Sequence, residues 1–204
     1  MIITGLRRSL HASQRIAIYV DSKYTFSVPE SIIADEGIYI GKEITSKELD
    51  DLRERSEHQE LKNKVANYIS IRPRASSEIR QYLAKKTNRK DLDNLILDLT
   101  ESGLIDDRKF ASWWVDQRRT FTSKSTKEIK KELFAKGIDE EIMNEALRAE
   151  EFEDSDMEAV RKLVEKKKLF LSHKNLTEEE LSLKINQFLQ RKGFDWDTIR
   201  KARD

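Results

Sequence analysis

The sequence contains no cysteine among its 204 residues. Disulfide bonds and thiolate metal sites are therefore excluded, and the chain is compatible with a reducing compartment. It also lacks any apolar run near the roughly 18 residues that a membrane-spanning helix needs, and residues 1–10 lack the apolar segment of a signal peptide. We therefore expect a cytoplasmic protein without a transmembrane segment.

Proline and glycine are scarce, with two and six copies, as is typical of a mostly helical chain. Charged residues make up 38% of the sequence, which is high for a globular protein. The apolar residues nevertheless recur at helical spacing. This pattern predicts small helical cores with heavily charged outer faces rather than disorder.

Residues that carry chemistry are also rare or badly spaced for it. The three histidines, His11, His58 and His173, lie far apart without a neighbouring nucleophile or metal-ligand spacing. No glycine-rich phosphate-binding motif is present. The many carboxylates alternate with Lys and Arg on helix faces, which favours a solvated ion-paired surface over acid–base pairs. We therefore predict no enzymatic activity, no cofactor and no small-molecule substrate.

The net charge is close to zero, since 39 Lys and Arg residues balance 38 Asp and Glu residues. A dedicated nucleic-acid-binding protein has a more strongly basic composition. Any basic surface must therefore be a local patch.

The segment 15–28 differs from the rest of the chain because apolar residues alternate in it on both sides of a polar turn at residues 21–23. This alternation predicts a β-hairpin. A short helix follows Pro29, and residues 37–41 fit either a third short strand or an extended turn. We assign residues 1–45 to an N-terminal module that contains the hairpin.

Helical patterns dominate from residue 46 onward. Thr45 and Glu48 form a capping-box pattern at the start of a charged linker helix over 46–57. Nine further helices are predicted, and they group into three three-helix repeats over 58–105, 106–150 and 151–204. Their approximate bounds are 58–70, 76–86, 90–102, 107–119, 126–136, 139–149, 154–170, 177–192 and 195–203.

The middle helices of the three repeats align with one another. Each contains an isoleucine followed by a leucine four residues later, at Ile79, Ile129 and Ile185 and the leucines that follow them. The second and third repeats both end this helix with Lys-Gly, at residues 136–137 and 192–193. Such periodic self-similarity predicts a tandem repeat, stacked as an elongated curved array with a concave surface for a partner. In the second repeat, Ile129, Leu133 and Phe134 are predicted to face inward.

Two kinds of side chain are candidates for partner binding. Trp113 and Trp114 either bridge the core and a contact between repeats, or leave one ring exposed for base stacking. Basic residues also lie on the outer faces of corresponding elements, where stacking would align them as one stripe. A stripe suits DNA phosphates or an acidic protein groove, although a plain solvated face is the alternative. The residues of the predicted stripe are Arg72, Arg74, Arg80, Arg118, Arg119, Lys127, Lys130 and Lys131.

Several short motifs together resemble the RecX family of bacterial regulators of the RecA recombinase. They are Arg-Pro-Arg at 72–74, Glu-Ile-Arg at 78–80, Gly-Leu-Ile-Asp-Asp at 103–107 with Phe-Ala at 110–111 and Trp-Val at 114–115, and Lys-Gly-Ile at 136–138. The resemblance is close over residues 60–150 and looser over 155–204. The chain departs from the pattern after Phe121, where Thr-Ser-Lys-Ser replaces a basic run common in the family.

The resemblance implies a helical-repeat protein that lies in the groove of the RecA–DNA filament and modulates, usually inhibits, the activity of the recombinase. RecA would then be the partner, with single- or double-stranded DNA as a second contact. Two other functions stay open from the residues alone. One is a stand-alone DNA-binding protein built of helical triplets, and the other is a scaffold for protein interactions.

Overall fold

The computed structural model describes residues 1–8, 15–87, 92–148 and 152–203, with side chains for all of these except 152–155. The chain divides into two units, Met1–Ile71 and Arg72–Asp204. The predicted fold class is confirmed, because the chain is mainly helical with one small antiparallel sheet near its N-terminus. No helix among the described residues is long and apolar enough to span a bilayer.

The sheet of the first unit has the strand order β1-β2-β3, with β1 at Ile3–Arg8, β2 at Arg15–Val20 and β3 at Lys23–Pro29. The predicted hairpin is β2–β3, and its turn residues Asp21 and Ser22 both have positive φ, of 47° and 65°. A two-residue turn of this handedness matches the twist of the paired strands. β1 was not predicted, and residues 37–41 form the turn rather than the strand.

One long helix completes the first unit. After the short helix α1 (Glu30–Asp35), α2 extends without interruption over Ser46–Ile69. Thr45 and Glu48 form the predicted capping box at its start. The predicted boundary between a linker helix at 46–57 and a first repeat at 58–105 falls inside α2, so the division of the chain at that point stays a prediction.

The second unit contains eight helices within its described residues. They agree with the predicted helices to within a few residues at the ends that the structure describes, while the predicted start at 90 and end at 149 lie outside the described residues. The helices are α3 (Ser76–Ala84), α4 (Leu92–Glu101), α5 (Asp107–Thr122), α6 (Thr126–Ala135), α7 (Glu140–Arg148), α8 (Phe152–Leu171), α9 (Glu178–Arg191) and α10 (Trp196–Arg203).

The aligned isoleucine and leucine positions lie at the centres of these helical groups. All six side chains are fully buried in α3, α6 and α9. One core forms among α5, α6 and α7 around Phe110, and another among α8, α9 and α10 around Val160 and Phe194. The period of the sequence therefore gave the correct inward faces for these pairs. The six residues are Ile79, Leu83, Ile129, Leu133, Ile185 and Leu189.

Candidate partner-binding surface

The middle helices of consecutive repeats meet end to end through the same type of hydrogen bond. The Ser77 hydroxyl donates to the Lys136 carbonyl oxygen at 2.5 Å, and the Ser125 hydroxyl donates to the Lys192 carbonyl oxygen at 3.0 Å. These carbonyls belong to the C-terminal ends of α6 and α9, where helical carbonyls lack partners within the helix. Each serine lies at the N-terminus of the preceding middle helix. The two junctions therefore fix the position of α6 against α3 and of α9 against α6.

A second pair of bonds repeats at the same junctions. The Asp107 carboxylate accepts from the backbone N–H and hydroxyl of Ser76, at 2.8 and 2.7 Å. The Asp156 carboxylate accepts from the same groups of Thr126, at 3.1 and 2.9 Å. Burial raises the pKa of Asp156, although the Thr126 hydrogen bonds oppose that shift. The first helix of each following repeat is thus tied to the N-terminus of the preceding middle helix.

Arg72 belongs to a cluster of charged side chains around the Glu78 carboxylate, at the junction between the first and second repeats. Its guanidinium donates to both carboxylate oxygens of Glu78, at 3.0 and 3.1 Å, and lies 5.7 Å from the ring centre of Trp113. The Lys136 ammonium donates to the same carboxylate at 2.8 Å. Burial raises the pKa of Glu78, but the two cations outweigh it and lower this pKa to about 2. Arg72 therefore acts within the protein as part of the junction.

Arg118 belongs to a second cluster around Glu132. Its Nε donates to Glu132 at 2.7 Å, the Trp114 indole N–H donates at 3.0 Å, and Lys124 also pairs with this carboxylate. Burial acts to raise the pKa of Glu132, but these donors lower it overall. The Arg118 guanidinium also stacks 3.9 Å from the Trp114 ring centre. Trp114 is buried and Trp113 is half-buried against it, so the pair bridges core and junction.

The other predicted arginines are also engaged within the chain. Arg80 pairs with Asp93 on α4. Arg74 and Arg119 are half-buried, with part of each guanidinium shielded from solvent, and both interact within the protein. All five arginines of the predicted stripe therefore interact within the protein, and three of them, Arg72, Arg80 and Arg118, form ion pairs with carboxylates.

The three lysines of the predicted stripe differ from the arginines because they share one groove between α6 and α7. Lys130 donates to Glu140 and to Asn144, at 3.3 and 3.2 Å. Lys127 and Lys131 are exposed and have no ion-pair or hydrogen-bond partner among the residues that the structure describes. We call the cavity that they line, of about 580 Å³, the α6–α7 groove. It is lined by Lys127, Lys130, Lys131, Phe134, Ile138, Asp139, Glu140 and Met143.

The predicted inward position of Phe134 is wrong. Its side chain is 74% exposed and lines the α6–α7 groove, whereas Leu133 beside it is fully buried. The sequence carried a signal for this, because the aligned positions in the other middle helices are Ala84 and Gln190. A position that accepts alanine, phenylalanine and glutamine is not a shared core position.

Within the described part of the chain, no group of three or more His, Asp or Glu side chains could hold a metal ion. His11 lies outside the described residues. The geometry instead presents a lysine-rimmed apolar groove on a stack of helical repeats.

Comparisons with known proteins agree with this architecture. The profile of the RecX second three-helix domain matches residues 106–147, and that of the third three-helix domain matches residues 153–202. The regulatory protein RecX of Bacillus subtilis is 30% identical over 203 residues, which cover 99% of this chain and 76% of that protein. The regulatory protein RecX of Bacillus licheniformis is 31% identical, with 98% and 75% covered.

Solved structures give the same result. A crystal structure of a regulatory protein RecX matches with a TM-score of 0.78 and 25% identity, over 100% of this chain and 98% of that one. The crystal structure of RecX from Lactobacillus salivarius matches with a TM-score of 0.63 and 29% identity, over 71% of this chain and 93% of that one. The near-complete coverage in sequence and the shared three-helix domains lead to one conclusion: this chain belongs to the RecX family.

Proposed function

We propose that this protein is a non-enzymatic regulator in the cytoplasm that binds in the groove of the RecA–DNA filament and inhibits recombinase activity. Membership of the RecX family supports a regulatory role, since the relatives are named regulatory proteins. The helical-repeat architecture supports binding along an extended partner.

One observation carries the binding part of the proposal. Lys127 and Lys131 are exposed on α6 without partners among the described residues, in a chain whose net charge is only +1. Uncompensated charge beside an apolar groove is the arrangement that steers and orients an oppositely charged partner. We therefore assign the first contact with the filament to the α6 lysines rather than to the arginines of the predicted stripe.

The activity test is ATP hydrolysis by the cognate RecA on single-stranded DNA, with this protein added below stoichiometric amounts. Loss of hydrolysis well below one protein per recombinase is the expected result, because a protein that acts on filament growth needs few copies. Loss only at amounts that saturate the DNA would instead identify a stand-alone DNA-binding protein. No effect on hydrolysis or on filament length would contradict regulation and leave an interaction scaffold.

The binding test reverses the charge of the three groove lysines in the combined variant Lys127→Glu, Lys130→Glu and Lys131→Glu. We expect filament affinity to fall about tenfold or more, because each reversal replaces an attraction with a repulsion. Circular dichroism should show unchanged helicity, since these side chains lie outside the core.

The matched control reverses three lysines on α8, at Lys166, Lys167 and Lys168, so that the change of net charge is the same. Filament affinity measured by surface plasmon resonance should remain near that of the unmodified protein in this control. Equal losses in the two variants would show that total charge, and not the α6 surface, governs binding.

A further inference from the structure

We propose that the α6–α7 groove binds an acidic peptide segment of a partner protein and that this segment inserts a large apolar side chain beside Phe134. The inference rests on the proposed function in one respect, which is that the α6 lysines face a partner. It goes further by stating the chemistry of the bound segment.

The fold does not require a phenylalanine at position 134. The α5–α7 core is complete with Ile129 and Leu133 fully buried, while the adjacent Phe134 ring is 74% exposed. The first and third repeats pack their middle helices with Ala84 and Gln190 at the aligned position. Water would be released if a partner covered this ring, and the buried apolar area would favour binding.

The shape of the groove suits a large apolar side chain. Its apolar floor is formed by Ile138 and Met143, which are buried in the α5–α7 core and therefore held in place. Its volume of about 580 Å³ lies within the range of cavities that hold specific ligands. An aromatic or long aliphatic side chain fits such a cavity, and a methionine in the floor adapts to its shape.

The charged residues around the groove favour an acidic ligand. The acidic residues of the groove are already used, because Glu140 pairs with Lys130 and the Asp139 carboxylate accepts from the backbone N–H of Glu141 at 2.8 Å, at the N-terminus of α7. Lys127 and Lys131 have no such partner among the described residues. The rim therefore carries positive charge that an acidic segment would neutralise.

The same charges are absent from the aligned positions of the other two middle helices. The positions aligned with Lys127 and Lys131 are Ser77 and Gln81 in α3, and Leu183 and Gln187 in α9. The lysine pair and Phe134 thus occur together only in the second of the three aligned middle helices. This coincidence is expected of a binding site and is not required by the repeat.

A peptide suits this groove better than a nucleic acid. The floor of the groove is formed by the apolar side chains of Ile138 and Met143, which suit an inserted apolar side chain better than a phosphate or a ribose. An amphipathic helix laid in an apolar groove, with acidic residues beside its apolar positions, meets both the floor and the lysines.

The test uses the full chain and a fluorescein-labelled peptide in which leucines recur at helical spacing among glutamates. Fluorescence anisotropy should show binding that weakens as salt is raised. The variant Phe134→Ala should bind the peptide about tenfold more weakly, because the loss of a central apolar contact weakens binding by about this factor. The double variant Lys127→Gln and Lys131→Gln should also bind weakly and should lose most of the salt dependence.

The matched control is Phe121→Ala, because Phe121 has the same exposed fraction of 74% but lies at the end of α5 outside the groove. It should bind the peptide as the unmodified protein does. The proposal is overturned if the unmodified protein does not bind the peptide, if Phe134→Ala binds it unchanged, or if a peptide with serine in place of leucine binds equally. Displacement of the peptide by single-stranded DNA with equal loss of DNA binding in Phe134→Ala would identify a nucleic-acid site instead.

This test needs no recombinase, so it separates the two proposals. Inhibition of RecA without peptide binding would contradict the groove assignment and leave the regulatory function intact. Peptide binding without any effect on RecA would support the groove assignment and contradict the proposed regulation.

Discussion

Glu78 links two repeats through a single carboxylate, since Arg72 lies before α3 and Lys136 ends α6. A carboxylate that accepts from two cations keeps its charge even when it is largely buried, because the hydrogen bonds replace lost hydration. Its side chain is only 18% exposed, so solvent screens these pairs less than it screens pairs on the surface. Glu78 is therefore a residue through which acidic pH weakens the junction between the first and second repeats.

We expect Glu78→Gln to lower the free energy of unfolding at pH 7 by about 2–3 kcal/mol. The pKa of Glu78 is about 2 in the folded protein, whereas the pKa of an unperturbed glutamate side chain is 4.5. A lowered pKa stabilises the folded state above pH 4.5, and that contribution disappears as the pH falls toward 2. The variant and the unmodified protein should therefore converge in stability near pH 2, as measured by urea unfolding with tryptophan fluorescence.

The control for this prediction is Glu128→Gln at the aligned position of α6. Among the described residues, Glu128 forms one ion pair, with Lys124 at 3.9 Å, and its side chain is more exposed than that of Glu78. Its replacement should cost much less at pH 7. An equal loss in both variants would show that the Glu78 cluster contributes no special stability.

The burial of single residues was predictable from the sequence where helical periodicity alone determines which side chains face the core. The buried pair Ile129 and Leu133 follows directly from helical spacing, and the same pair recurs in each repeat. Phe134 was misassigned because hydrophobicity indicates burial only on average. The engagement of Arg118 was hidden as well, since the sequence shows its charge but not that Glu132, 14 residues later, lies across the helix pair.

The ends of α6 and α9 share a left-handed glycine but differ in the space around it. Gly137 and Gly193 have φ of 73° and 85°. A Cβ atom at Gly193 would lie 2.8 Å from the Ser125 Oγ, whereas one at Gly137 would lie 3.5 Å from the Ser77 Cβ. The backbone alone makes alanine costly at both positions, and steric overlap adds to the cost only at Gly193.

We therefore expect Gly137→Ala to lower the free energy of unfolding by about 1 kcal/mol and Gly193→Ala by about 2–3 kcal/mol. The larger effect arises because the new methyl group displaces the Ser125 hydroxyl from the Lys192 carbonyl. Thermal unfolding followed by circular dichroism would compare the two variants directly. A loss at Gly193 no greater than that at Gly137 would show that the junction adjusts without strain.

Elements were predictable where their signals are local. The capping box of α2 and the Lys-Gly ends of α6 and α9 are readable in the sequence, and the structure has them. β1 was missed because residues 3–8 do not alternate and become a strand only by pairing with β2. The continuity of α2 was missed because the few apolar residues over 46–57, Leu49 and Leu52, suggested a separate linker helix where α2 has no break.

At the scale of the whole molecule, the near-neutral charge limits binding to bare DNA. We expect weak affinity for duplex DNA, with a plot of log K against log salt concentration that has a slope of about −2, since Lys127 and Lys131, which have no partner among the described residues, would neutralise only about two phosphates. Replacing both lysines with glutamine should bring the slope toward zero. Anisotropy of a labelled duplex over a salt series measures it, and a slope near −6 would favour a stand-alone DNA-binding protein.

The repeat order and the RecX resemblance were available from the sequence, and the comparisons confirm the family. The binding surface was only partly predictable. The prediction placed eight basic residues in one stripe with the same role. In the structure, Arg72 and Arg118 instead bind carboxylates within the protein, whereas Lys127 and Lys131 lie at the rim of a groove. That distinction depends on contacts between side chains of different helices, which composition and spacing do not encode.

The two junctions have a consequence for how such chains change in length. The second repeat presents Asp107 and the Lys136 carbonyl toward the first, and Ser125 and Thr126 toward the third. A duplicated copy of this repeat, inserted in tandem, would meet matching donors and acceptors on both sides. Growth by whole repeats therefore preserves the types of donor and acceptor at each junction, whereas deletion of part of a repeat leaves a carbonyl and a carboxylate without donors. The repeat is in this sense the unit of insertion and loss.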